Sequence, residues 1–94
     1  MSFPPDTIFI RASGPLTTEV DGELVMLDVE SGSYFNLDSI GAVIWGLLEN
    51  PARFEDLCQD LHARYEAPLE TIRADVAALL SRMLDHKLVR TEVP

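Results

Sequence analysis

Hydrophobic and polar positions follow a period of two over roughly the first forty residues, then switch to the 3.6-residue period of helices. In LTTEVDGELVMLDV, Asp21-Gly22 separates two β-type runs. A two-residue type I′ turn needs positive φ at both central positions, and Asp-Gly supplies it. The pattern predicts a hairpin with strands from Thr17 to Val20 and from Glu23 to Val29. On the second strand Val25, Leu27 and Val29 share one face, and Leu24, Met26 and Asp28 the other. Apolar residues on both faces predict a strand covered on each side. Glu30-Ser31-Gly32 reads as a second tight turn, and Ser33 to Leu37 as a third strand that completes an antiparallel meander.

Asp38 is a good N-cap for a helix reaching about Glu49, with Ile40, Val43, Ile44, Leu47 and Leu48 as its apolar stripe. Asn50-Pro51 ends it. A second helix spans about Phe54 to Tyr65, with Phe54, Leu57, Cys58, Leu61 and Tyr65 on one side. Ala52-Arg53 is a poor cap for it. Pro68 suits the first turn of a third helix, Leu69 to about His86, whose broad stripe is Leu69, Ile72, Val76, Leu79, Leu80, Met83 and Leu84. Lys87 to Arg90 adds a short terminal strand. Upstream, residues 1 to 6 read as a loose lead-in, and Thr7 to Arg11 as a short strand that either pairs with the sheet or stays mobile. The whole is one α+β domain over residues 1–94: a three-stranded antiparallel sheet followed by three helices packed on one of its faces.

Charge narrows the partners. Sixteen carboxylates oppose seven Lys and Arg, a formal net charge of −9, and no basic residue lies between Arg11 and Arg53. Such a surface repels phosphate backbones and anionic lipid, so neither nucleic acid nor a membrane is an expected partner. A single cysteine, no secretion-type N-terminus and no apolar run of the ~18 residues that span a bilayer point to a soluble cytoplasmic protein.

The chemistry of catalysis is sparse. Cys58 and His62 lie four apart on the second helix and so share a face, but Cys58 falls inside the apolar stripe, where a free cysteine packs as a small hydrophobe. His86 sits near a helix C-terminus, where the dipole accounts for it. Two distant histidines and one cysteine do not make a metal site, and no glycine-rich phosphate loop occurs. No enzymatic activity and no cofactor are expected.

Tyr34 and Phe35 are adjacent on a short strand, so their rings point to opposite faces. If the strand is a sheet edge, one ring enters the core and the other stands beside a groove open to a guest peptide. If helices cover both faces, both rings are simply buried. Trp45 lies at the flank of the first helix and is expected to pack under the sheet or a neighbouring helix.

The run DGELVMLDVESGSYFNL, followed by Asp38-Ser39-Ile40 and GAVIWGLL, resembles the PqqD-like family of peptide chaperones, also called precursor-peptide recognition elements. The resemblance covers about residues 16 to 90, leaving 1–15 as an N-terminal extension. Within the family it is most similar to the stand-alone leader-binding proteins of lasso-peptide biosynthesis, which work with a cysteine-protease-type leader peptidase and a cyclase. The resemblance implies a winged-helix-like fold of three strands and three helices. It also implies that the leader of a ribosomally made precursor adds as a strand, antiparallel to the third strand, in the groove beside the third helix. Carried onto this chain, the guest-binding residues are Ser33, Tyr34, Phe35, Asn36 and Leu37, with Ile72, Asp75, Val76, Leu79 and Met83 on the helix. Arg73, Asp75 or Arg82 sets polarity at the rim, and the guest is expected to carry an aromatic residue and a proline. A PqqD-type chaperone of pyrroloquinoline quinone synthesis is the near alternative. A winged-helix DNA-binding protein is the distant one, since Arg73 and Arg82 face Glu70, Asp75 and Asp85 on the same helix.

Overall fold

The Asp21-Gly22 turn forms as its chemistry requires, with φ of 53° and 82° at the two positions. It joins β2 (Leu16–Val20) to β3 (Glu23–Asp28), and Val20 pairs with Glu23 directly across the turn. The computed structural model describes residues 3–29 and 31–92. Glu30, placed by the sequence in the next turn, therefore lies outside the described residues, as do Met1 and Ser2 of the lead-in. Gly32, at φ +72°, donates to the Asp28 carbonyl at 2.7 Å, and β4 (Ser33–Leu37) returns antiparallel to β3. The sheet order is β2-β3-β4, so β4 is an edge.

The helices follow the expected punctuation. Asp38 caps α1 (Ser39–Leu47), its carboxylate accepting from the Gly41 amide at 2.8 Å. The second helix, α2 (Phe54–Arg64), has no side-chain cap, in keeping with Ala52-Arg53, although Glu55 and Asp56 in its first turn favour the positive end of the dipole. The third, α3 (Leu69–Asp85), starts after Pro68, whose carbonyl accepts from Ile72. Buried Met26, Leu37, Ile44, Leu48, Leu57, Leu61, Val76, Leu80 and Met83 join one core between these helices and the inner face of the meander.

Four expectations need correction. Residues 7–11 neither join the meander nor hang free: β1 (Ile8–Arg11) is the centre of a second three-stranded sheet, between β5 (Ala52–Arg53) and β6 (Val89–Glu92). The lead-in is packed, because Phe3 meets Phe9 edge-on at 5.0 Å and Phe54 at 5.7 Å. Ile40, counted in the apolar stripe of α1, is 43% exposed. Finally, β3 is covered on one side only. Leu24 and Met26 face the core, but Val25 and Leu27 are half-buried on a face whose neighbours Leu16 and Tyr34 stand in solvent.

Trp45 is buried, as expected, though its main partner was not foreseen. The Arg11 guanidinium lies 4.5 Å from its ring centre and donates to its backbone carbonyl. The two sheets are thus tied together through the C-terminal half of α1.

Candidate functional site

The free side of β4 borders α3, and the seam between them is made by Phe35. Alternation turns Phe35 inward, opposite Met26, and Tyr34 outward, opposite Leu27. Tyr34 is 71% exposed. The Phe35 ring lies edge-on to His86 at 4.9 Å, with the Arg82 guanidinium 5.6 Å from its centre. A hollow opens at each end of this seam.

Past the C-terminal end of β4 lies an apolar groove of about 400 Å³, walled by Ile40, Gly41 and Ile44 of α1, Leu61 and Tyr65 at the end of α2, and Ile72, Val76, Ala78 and Leu79 of α3. Its polar rim is Asp38, Asp75 and Arg82. Beside the start of β4 is a more polar hollow of about 370 Å³, lined by Met26, Asp28, Ser31, Ser33, Tyr34, Phe35 and residues 85–88. An extended segment laid along β4 reaches from one hollow to the other, since five strand residues span about 17 Å.

The residues singled out from the sequence are only partly brought together. Ile72, Asp75, Val76 and Leu79 wall the apolar groove; Ser33, Tyr34 and Phe35 line the polar hollow. Asn36 is exposed and lines neither. Leu37 and Met83 are enclosed in the core, so their side chains shape the site from beneath, and only backbone groups of Leu37 remain for pairing. Arg73 does not serve the rim. It makes a two-pronged ion pair with Glu55 of α2 at 2.7 and 3.2 Å. That pair holds the Glu55 carboxyl below the usual carboxylate range, chiefly through the Arg73 hydrogen bonds and then through Gln59.

The sequence pattern places Ile40, Ile44, Leu61 and Tyr65 in helix packing, whereas the fold makes them walls of the groove. The available signal was the surplus of apolar positions on α1, more than one buried stripe requires. His86 and Lys87, at the polar end, carried no signal beyond a helix terminus.

Arg53, Arg64, Arg73 and Arg90 each pair with a carboxylate. Arg82 and Lys87 make no ion pair among the described residues, and both lie at the C-terminal end of α3 beside β4. The site therefore presents hydrogen-bonding edge, apolar wall and unpaired cations. Nucleophilic chemistry finds no support in Cys58: it is buried, and desolvation, reinforced by Glu55, pushes its thiol up to about 11. Among the described residues no three His, Cys, Asp or Glu side chains cluster as metal ligands, and no helix is long and apolar enough to cross a membrane.

A family model described as coenzyme PQQ synthesis protein D (PqqD) matches residues 23–89. Two solved structures are similar in fold and sequence. TbiB1 in complex with the TbiA(β) leader peptide superposes with a TM-score of 0.78 at 28% identity, over 86% of this chain and 94% of that one. A lasso peptide synthetase B1 complexed with its leader peptide gives 0.75 at 26% identity, over 87% and 96%. None of the curated proteins matches this chain.

Proposed function

Since this chain belongs to the PqqD family, we propose that it is a non-catalytic module that binds the leader of a ribosomally made precursor peptide in lasso-peptide biosynthesis. The leader adds as an antiparallel strand to β4, with its N-terminal part in the apolar groove and its C-terminal part passing Phe35, Arg82 and Lys87. The observation that carries this reading is the edge position of β4 against α3, with an apolar groove at the end of the strand. Main-chain hydrogen bonds to the edge supply affinity, and the groove selects an aromatic or proline-bearing guest. Ser33, Tyr34, Phe35, Asn36 and Leu37 give the strand; Ile72, Asp75, Val76 and Leu79 the wall; Met83 supports the wall from the core. The module then presents its guest to a leader peptidase and a cyclase.

Likeness to two leader-bound proteins over nearly their full lengths, one of them a lasso peptide synthetase B1, favours this guest over the quinone-cofactor peptide that gives the family model its name. The winged-helix DNA-binding alternative has no support in a surface of net charge −9.

The test is titration with the leader segment of the precursor encoded beside this protein, followed through backbone amide shifts. The expected Kd is micromolar or tighter, about −8 kcal/mol. Shifts should concentrate on residues 33–37 and 72–83, and Tyr34→Ala and Leu79→Asp should each weaken binding about tenfold. Saturation without those shifts places the guest on another surface.

A further inference from the structure

The chain has seven Lys and Arg, and the fold places them unevenly. Arg53, Arg64 and Arg73 are tied to carboxylates. Arg11, Lys87 and Arg90 instead line one hollow of about 630 Å³, between the start of β6 and the loop that follows β1. Asp28 is the single carboxylate of its lining, and it accepts from the Ser31 hydroxyl at 2.9 Å. Arg11 is half-buried and held in place by the Trp45 ring and carbonyl, but no carboxylate among the described residues pairs with it. Lys87 is likewise without an ion pair there. Arg90 holds Glu92 at 3.0 Å, with both side chains more than half exposed, and such a pair exchanges readily.

We propose that this hollow is a subsite for acidic side chains, filled by the part of the precursor that follows the strand added to β4. Shared walls set the path. Asp28, His86, Lys87 and Leu88 line both this hollow and the one beside the start of β4, so only these residues separate the two. A guest antiparallel to β4 leaves the strand at Ser33, and its continuing chain crosses Lys87 into the cationic hollow. The identity of the occupant rests on the leader-binding reading; the cations of the hollow do not.

A net charge of −9 repels an acidic peptide at a distance. At physiological salt that field is screened over about 8 Å, so the contacts inside the hollow decide. Three cations against one carboxylate favour carboxylates there. Arg11 supplies a guanidinium fork already fixed in place, while Lys87 and Arg90 supply exposed heads that adjust to the guest. Each exposed pair is weak, but the added strand confines the segment behind it, so a tethered acid needs little affinity of its own. The exposed acidic hairpin end of a second copy, Glu19, Asp21 and Glu23, has the right sign but no such tether. A sorting rule results: precursors with Glu or Asp shortly after the pairing segment bind more tightly than those with Lys or Arg there.

The test titrates the leader segment extended at its C-terminal end by four glutamates, four glutamines or four lysines, at about 0.15 M salt. The glutamate extension should bind wild type about fivefold more tightly than the glutamine one, and the lysine extension no more tightly than glutamine. In Lys87→Gln/Arg90→Gln the glutamate-over-glutamine ratio should fall below about twofold. A ratio cancels any effect of the substitutions on the strand itself, and both side chains are exposed, so the variant keeps its fold. Amide shifts specific to the glutamate extension should fall on residues 11–15 and 86–90. Equal affinity of the glutamate and glutamine peptides, a ratio unchanged in the variant, or tighter binding of the lysine peptide overturns the proposal. So does a wild-type dimer in light scattering that the variant dissolves, because the hollow then holds the acidic hairpin of a second copy. Failure of the unextended leader to bind tells against the leader-binding reading alone. The hollow is then judged with tetraglutamate amide: shifts at residues 11–15 and 86–90, absent with tetraglutamine, sustain a carboxylate subsite, and no shifts at about 20 mM overturn it.

Discussion

Lys87 holds an unusual backbone position for its side chain. It follows the C-cap of α3 with φ +59°, its amide donating to the Leu84 carbonyl at 3.0 Å while the Leu88 amide donates to Met83 at 2.9 Å. This pair of bonds is the Schellman arrangement, in which the left-handed residue is usually glycine. A side chain in that region costs about 1 kcal/mol, partly offset here by a cation at the negative end of a helix. Lys87→Gly is accordingly expected to stabilise the protein by about 0.5 kcal/mol, read as a higher urea midpoint with unchanged slope. The contrast with Asp21-Gly22 shows what one residue discloses. Asp-Gly announces positive φ, and the hairpin was legible; lysine has no such preference, so the terminal turn was not. Tyr34 and Phe35 were half-legible: alternation gives opposite faces, but only the fold reveals that Arg82 and His86, about fifty residues on, receive Phe35.

Between elements, β4 and α1 meet closely at Gly41. A methyl group on Gly41 would sit 3.0 Å from the Leu37 Cβ and 3.2 Å from its Cδ2. Leu37 is enclosed in the core and cannot withdraw. Gly41→Ala is expected to destabilise by about 1–3 kcal/mol and to weaken guest binding, because relief of the clash moves the end of β4. Thermal melting and leader titration of the same variant check both. The meander and the three helices were readable because their signals are local: a turn, a cap, a switch of period. The second sheet was not, because β1 pairs with strands more than forty and about eighty residues away, one of them only two residues long. The apolar groove failed for a similar reason, since three helices contribute to it and each one's stripe, taken alone, reads as core.

For the molecule as a whole, the sign of the charge was plain in the sequence, but its placement was not. Most cations are committed within the domain, and Arg73–Glu55 fastens α3 to α2. Glu55 titrates lower folded than unfolded, so its contribution is present above the unfolded value and disappears as pH falls through the folded one. Glu55→Gln should lower stability at neutral pH, and its deficit should shrink as pH falls through the ordinary glutamate range and on through the lower folded value. A pH series of urea midpoints for the two proteins reads this directly. A constant deficit across the series would assign the loss to shape rather than to charge.

The antiparallel pairing of β1 with β6 has a mechanical consequence. Ile8 lies opposite Glu92, so the first and last strands of the domain run side by side, about 5 Å apart. Pulling their outer ends apart therefore loads the same pair of strands from the Ile8–Glu92 end inward, rung by rung, so the β1–β6 pairing closes the domain mechanically.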